Sequence, residues 1–506
     1  MKNREQNSFW RCGALMTGCN ALWFFMLCGI TVIALGSMVS KAFFAVLLLP
    51  FLLYGIWFLF HKKLLLPRNF PYGIAWWILC LAATLFMFWF AYSARVESLS
   101  WDWGRIIRTA SKYVLTGHMK DNVYYARYPN NQFWYMVMVV LFKIVHWFNP
   151  AAGQREFYLV SIAFGCLMVT GAIILLHMTA NILWGAKKAF AAGCIAYLCL
   201  PLYMWALYAY TDTSGMLLLM FLLFLYVKAE KTEKLWQYTV YMGLIGLTGA
   251  IAWKVKVTVF IFVIAVFLVL LMKKVCGKKL LAGLLALALF FTLGKITADA
   301  GVSQVLALDE KFYDQHEFPL THWIMMSLGY GGYRKEDVVF TSGFPTYKEK
   351  QEANVREIKR RLQEKGLPGS MRFFFYNKQV RTWGDSTFGG CDYLSREPVY
   401  PDGFLARFVT MEGDMNWLLL FYTSLYYGML LAGMILSAYY GWKQRNDKED
   451  FLFVGRLTMV GIAVFLTIWE CNARYLVVFL PLMILLSCDG YMGWRERLGE
   501  NGKGMA

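Results

Sequence analysis

Stretches of about 20 mostly apolar residues, long enough at about 1.5 Å per residue to cross roughly 30 Å of hydrocarbon, recur along nearly the whole 506-residue chain. In lipid no water pairs an open peptide group, so such stretches can cross only as helices or as a closed barrel, and their length selects helices. About twelve are read, at 16–38, 42–60, 72–92, 157–182, 189–209, 213–228, 236–253, 257–272, 280–297, 414–438, 452–469 and 475–491. The expected fold class is an all-α polytopic membrane protein of about 12 transmembrane helices.

Composition closes the other routes. Charged residues make up 16% of the chain, below the roughly 25% of an average soluble protein, and the mean hydropathy is +0.46. Twenty Trp, 30 Tyr and 40 Phe exclude a disordered chain, because these rings need a place to be buried. The net charge of +18 sits in short clusters between apolar segments, a membrane pattern that excludes nucleic acid as the partner. Most of the 11 cysteines lie in or beside apolar segments without a CxxC pair or metal spacing, and read as small apolar side chains. The first apolar stretch lacks a small-residue cleavage site and is followed at once by a second, so the N-terminus is expected to stay attached.

Lys and Arg set the orientation, since short loops that carry them stay cytoplasmic. Lys2/Arg4/Arg11, Lys62/Lys63/Arg68, Lys187/Lys188, Lys228/Lys231/Lys234, Lys273/Lys274/Lys278/Lys279, Lys443/Arg445/Lys448 and Arg495/Arg497 fall on one side if those segments cross. The count leaves out 133–148, which spans only about 24 Å as a helix and carries Lys143 and His146; it reads as re-entrant or interfacial. If it crossed instead, Lys187 and Lys188 would move outside, and Asp102 and Asp212 would face opposite sides. The resulting division is a helix pair at 1–71, a membrane module at 72–297 with an outer loop at 93–131, a mixed extracytoplasmic domain at 298–413, and C-terminal transmembrane helices at 414–506. In the outer domain an amphipathic helix near 348–365 carries Val355, Ile358 and Leu362 on one face.

The acids at the outer boundary carry the chemistry. In Ser98-Leu99-Ser100-Trp101-Asp102-Trp103-Gly104 an acid opens a basic amphipathic helix, whose Ile106, Ile107, Ala110, Tyr113 and Val114 are expected to face lipid with Arg105, Arg108 and Lys112 toward headgroups. Asp102 is either a base desolvated by its Trp neighbours or merely the helix N-cap. Tyr124-Tyr125-Ala126-Arg127-Tyr128-Pro129-Asn130-Asn131 offers rings and amides suited to a sugar, or an interfacial aromatic belt. Tyr210-Thr211-Asp212 sets a second acid at the same boundary, where it can share a site with Asp102 or remain a hydrated loop residue. Lys254, Lys256 and Arg474 are cations available to a lipid phosphate, or anchors that snorkel. Arg474 lies in Glu470-Cys471-Asn472-Ala473-Arg474-Tyr475 and breaks the positive-inside pattern. His322 can orient an acceptor or be a satisfied loop histidine, and no P-loop, G-x-S-x-G or H-E-x-x-H is present.

Asp102 in an acidic first outer loop, Tyr128-Pro129-Asn130-Asn131 before a short helix, Tyr210-Thr211-Asp212, and Glu470-x-x-x-Arg474-Tyr475 followed by Pro481 together resemble the bacterial polytopic glycosyltransferases of the GT-C type. These are related to protein O-mannosyltransferases and the aminoarabinose transferase. The resemblance implies a GT-C-like fold in the bacterial plasma membrane with interfacial helices in the first outer loop. It further implies transfer of a sugar from a polyprenyl-phosphate donor, on the extracytoplasmic side and with inversion, to an envelope glycan, glycolipid or protein acceptor. Asp102 is then the general base, with Asp212 beside it. Arg474 and Lys256 meet the phosphate, and Arg127, Tyr128, Asn130, Asn131, His322, Glu470 and Tyr475 line the substrate. A divalent ion between Asp102 and Asp212 is left open, because Trp103 stands where the pattern has a second acid. The rival classes are a secondary transporter or lipid flippase, which would show repeats and mid-membrane polar groups, and a non-catalytic assembly partner.

Overall fold

The structure, a computed structural model, describes residues 2–61, 70–97, 101–119, 121–272, 277–443 and 451–501, with side chains omitted at 2–12, 41, 57–61 and 495–501. Lys62, Lys63, Arg68, Ser98, Leu99, Ser100, Lys273, Lys274, Arg445 and Lys448 lie outside the described residues. In chain order the helices are α1 (Lys2–His61), α2 (Tyr72–Ser93), α3 (Asp102–Thr116), α4 (Asn122–Arg127), α5 (Gln132–Phe148), α6 (Gln154–Trp184), α7 (Ala186–Tyr197), α8 (Leu200–Ala206), α9 (Thr211–Lys231), α10 (Leu235–Val255), α11 (Val257–Met272) and α12 (Gly277–Val305). They continue as α13 (Glu310–His316), α14 (Leu320–Tyr330), α15 (Lys335–Ser342), α16 (Tyr347–Arg372), α17 (Lys378–Trp383), α18 (Gly390–Leu394), α19 (Ala406–Val409), α20 (Asn416–Lys443), α21 (Phe453–Ile468) and α22 (Leu480–Asn501).

The twelve apolar segments fall largely in helical stretches, though 16–38 and 42–60 share α1 and 189–209 runs across α7, a break at 198–199 and α8. Among the described residues seven helices are long and apolar enough to cross a membrane, or eight if α7 and α8, bent by 63°, are one broken span. Ala42–Ile56, Val257–Met272 and Phe453–Ile468 are shorter apolar helices. α1 breaks at Ala42 (φ −150°, ψ 57°), and both of its halves reach α20: Phe24 packs on Tyr439 and Trp442, and Leu49 lies against Gly428. α9 and the span that ends in α22 form the centre, with 72% and 78% of their apolar windows buried. α2 and α12 form the periphery, at 28% and 17%.

Two of the basic clusters meet at one end of the bundle. α9 starts beside Asp212 and ends at Lys231, about 29 Å away along the helix axis. There the Lys231 amine donates to the Ile182 carbonyl (2.7 Å) near the end of α6, and Lys279 donates to the Thr232 carbonyl (3.3 Å).

Two expectations need correction. The apolar face of α3 does not look into lipid: Trp103, Ile106, Ile107 and Ala110 are fully buried, and α3 packs on α5 and α6. The protein interior offered those side chains a drier and closer-packed surface than headgroups do. The 298–413 region is helical rather than mixed, and the only strand-like pairing among the described residues is an isolated antiparallel bridge between Val96 and Pro398. Its longest segment has no period-two alternation. It carries instead the i,i+4 pairs Glu357–Arg361 (2.7 Å) and Arg360–Glu364, which favour a helix. α16 packs on α14 with Val355, Ile358 and Leu362 half-buried.

Where helices cross closely, small residues permit it. A β-carbon on Gly246 of α10 would stand 2.3 Å from the Leu287 carbonyl oxygen of α12, a backbone atom that cannot swing aside. Gly246→Ala is therefore expected to cost about 1–3 kcal/mol by forcing the two helices apart. Thermal unfolding of the purified protein in detergent checks this against Gly277→Ala, where nothing lies within 4 Å and no loss is expected.

Candidate functional site

The site forms at the end of the bundle opposite Lys231. Asp102 is the first residue of α3, but the cap position belongs to Trp101, which makes no side-chain cap hydrogen bond. The half-buried carboxylate of Asp102 is thus not spent on its own helix. The Tyr124 hydroxyl donates to its Oδ1 (2.6 Å) and in turn accepts from Asn131 Nδ2 (2.7 Å). The Tyr210 hydroxyl lies 2.9 Å from Asn131 Oδ1 and 3.4 Å from Asp102 Oδ2. Burial and the neighbouring Asp102 charge push the Tyr124 phenol well above its usual range, so it stays protonated and remains a donor.

Asp212 stands in the first turn of α9, where the positive end of the helix dipole favours an anion, and it is fully buried. It pairs with the Lys256 amine, at the break between α10 and α11, and lies 3.7 Å from Arg474 Nε. The Arg474 guanidinium donates to the Tyr393 hydroxyl (2.7 Å) and lies 5.0 Å over the Trp101 ring. Trp101 also meets Tyr210 and Tyr393 at 5.1 and 4.8 Å between ring centres, so one aromatic wall joins the Asp102 side to the Arg474 side. Lys256 lies over the Tyr475 ring at 5.1 Å. Glu470 is half-buried just before this group; burial raises its carboxyl pKa, and the Tyr475 hydroxyl and the Arg474 charge pull it back. Asp102 and Asp212 thus belong to one cluster and not to opposite faces.

The remaining residues divide. Asn131 is buried inside the cluster and Asn130 is exposed beside it, with its amide 3.3 Å from Asn131 Oδ1. Tyr128 is one ring removed from the cluster, 5.1 Å from Tyr124, and otherwise packs on Phe318 and Trp323. Arg127 turns away, 4.9 Å over the Phe318 ring. His322 is buried within the outer helices, its Nδ1 2.7 Å from the Thr341 hydroxyl, which donates to Asn354. Lys254 pairs with Asp299 on α12 and stands outside the cluster. Trp101, Tyr124, Tyr210 and Tyr393 complete the site. The first three sit in or next to the motifs already singled out, whereas nothing in Cys391-Asp392-Tyr393-Leu394 marks Tyr393.

The donor set bears on a divalent ion. Asp212 is already paired with two cations, and among the described residues no three of His, Cys, Asp and Glu come together as metal ligands. No step is routed through a divalent ion.

A bundle of long apolar helices with a charged, aromatic-walled site at one end defines an integral membrane protein. The chain belongs to the family described as conserved hypothetical integral membrane protein, which it matches over residues 29–490. No curated protein matches its sequence. Among solved structures it is similar to the oligosaccharyltransferase AglB of Archaeoglobus fulgidus, in complex with an inhibitory peptide and a dolichol-phosphate, with 15% identity, a TM-score of 0.42, and 81% of this chain and 50% of that chain covered. It is also similar to ArnT of Cupriavidus metallidurans, in the apo state (14% identity, TM-score 0.32) and bound to undecaprenyl phosphate (13%, 0.33), each over 83% of this chain and 78% of that one. The chain spans about half the length of the archaeal enzyme. Likeness at these scores says nothing about activity.

Two outcomes follow from the burial. Lys256→Met strips Asp212 of its nearest partner and is expected to destabilise the protein by about 3–5 kcal/mol, with much of that recovered in the Lys256→Met/Asp212→Asn double variant. Simple additivity in the thermal unfolding of the four proteins would contradict the pairing. For His322, burial and the nearby Arg127 and Arg361 push the pKa from 6.5 down to about 3. The unfolded chain therefore binds a proton between those values that the folded protein refuses. This contribution to stability is intact above about pH 6.5 and lost as the pH falls toward 3, and His322→Gln should make the acid-side fall of the melting temperature shallower.

Proposed function

We propose that the protein is a membrane glycosyltransferase of the GT-C type that moves a sugar from a polyprenyl-phosphate donor to an acceptor hydroxyl. The observation that carries this reading is a single cluster in which a half-buried carboxylate, Asp102, and a cationic pair, Lys256 and Arg474, are joined by Trp101 and Tyr210. A single displacement at a lipid-linked sugar needs one base near the attacking hydroxyl and cations near the departing phosphate. The motifs that resemble the GT-C enzymes contribute Asp102, Asn131, Asp212, Glu470, Arg474 and Tyr475 to this end of the bundle.

In the proposed reaction the acceptor oxygen attacks the anomeric carbon while Asp102 takes its proton. The bond from that carbon to the phosphate oxygen breaks with inversion, and the phosphate leaves with the electron pair. Arg474 and Lys256 receive the added negative charge. Asp212 is not a second base here: its carboxylate holds the two cations in place before the lipid arrives. Tyr124, fixed by Asn131, orients the Asp102 carboxylate. Lys231 and Lys279 lie toward the opposite end, which by the positive-inside rule supports a site on the extracytoplasmic side of a bacterial plasma membrane. The acceptor is an envelope glycan, glycolipid or protein.

The test incubates purified protein with a panel of labelled polyprenyl-phosphate sugars and identifies the glycosylated product by mass. Asp102→Asn is expected to lower transfer by about 10²- to 10⁴-fold with unchanged thermal unfolding. Arg474→Ala is expected first to raise the donor concentration needed for half-maximal rate. Undiminished turnover in Asp102→Asn would remove the base from the mechanism, and vesicle uptake with no covalent product would favour a transporter.

A further inference from the structure

The outer helices hold an apolar surface that the site does not use. α16 ends its first run at Gly366 (φ 59°), a left-handed conformation that suits glycine, and the chain resumes as a second helical run over 367–383 with Pro368 in its first turn. Five residues of it, Phe373–Asn377, are wound as a π-helix, a widening frequent at functional sites. One face is buried, with Phe373, Lys378, Thr382 and Trp383 turned into the protein. The other exposes Leu367 (75%), Met371 (54%), Phe375 (65%) and Tyr376 (52%), three of them spaced by four.

The buried face fixes the height of this run. Gln379 Nε2 donates to the Thr467 hydroxyl (2.9 Å) and the Lys378 amine to the Trp469 carbonyl (2.6 Å), both at the outer end of α21. One turn further on, the Ser37 hydroxyl of α1 donates to the Gly384 carbonyl (3.1 Å), at the end of the apolar run Gly13–Ser40. The run therefore lies where the apolar helices stop. Val464 and Ile468, on the last turns of α21, are themselves exposed (48% and 56%). The stripe continues a lipid-facing surface and does not start a separate patch. Arg372 is exposed beside it, and Lys365 lies 4.5 Å over the Phe373 ring, so cations flank the apolar side chains as they do on helices that rest in a headgroup layer.

We propose that the helical run 367–383 is a membrane-surface anchor, with Leu367, Met371 and Phe375 seated among the lipid headgroups and upper acyl chains. Four side chains fall well short of the roughly 800 Å² per partner that a standard protein interface buries, which argues against a second chain as the occupant. The same helix presents Lys378 to the carbonyl just before Glu470, so lipid contact on one face and support of the 469–474 segment on the other belong to one rigid element. The inference does not depend on the proposed reaction.

The test replaces Phe375, and separately Met371, with the photoreactive p-benzoylphenylalanine in the full chain, reconstituted in nanodiscs of phosphatidylethanolamine and phosphatidylglycerol. Leu81 on α2 (64% exposed) serves as the lipid-facing reference and Val339 on α15 (62% exposed) as the outer-surface one. After irradiation, mass spectrometry is expected to find phospholipid adducts at 371 and 375 at a yield within several-fold of position 81, and little at 339. Adducts at 81 with none at 371 or 375 would overturn the anchor. Cross-links from 375 to a second protein chain would do the same.

Discussion

The site rests on one buried carboxylate. Two cations cannot be kept close together inside a membrane protein at acceptable cost unless an anion accompanies them, because each loses its water and repels the other. Asp212, fully buried at the start of α9, meets Lys256 from the break between α10 and α11 and Arg474 from the segment before α22. Three separate parts of the chain are thereby held to one point. The net positive charge that remains is what the proposed reaction uses for the departing phosphate, and the aromatic rings of Trp101, Tyr393 and Tyr475 shape the walls without adding charge.

The second carboxylate has a different environment. Asp102 is half-exposed and takes its contacts from neutral donors, Tyr124 and Tyr210, with Asn131 ordering both. No ion pair to Asp102 is found among the described residues. One acid is paired with two cations, the other is held by neutral hydroxyls. The helix α3 that carries Asp102 is stiffened by packing its apolar face on α5 and α6, which is a firmer support than a headgroup layer would have been.

How far the site was legible depends on where each partner lies in the chain. Asp102, Asp212, Glu470 and Arg474 stood out because an ionisable residue at the edge of an apolar segment is costly without a purpose. Asn131 was legible through its run with Tyr128 and Pro129. His322 and Arg127 were equally conspicuous as residue types, yet His322 is locked to Thr341 and Arg127 covers Phe318, because the fold of the outer helices took them elsewhere. Tyr393 carried no signal, since a tyrosine on the short helix α18 is ordinary until a guanidinium from 81 residues further on reaches it.

The sequence by itself determined the helices, the apolar lengths that place this chain in a membrane, and the short Lys and Arg clusters between apolar segments. These are local properties: hydropathy and helix length depend on neighbouring residues only. Tertiary structure decided which charges meet, that α3 turns its apolar face to protein instead of lipid, and that the outer helices lean on the ends of α1 and α21. Those outcomes depend on contacts between segments tens to hundreds of residues apart, and the choice among them follows from packing and the cost of an unpaired buried charge, which no window along the chain records.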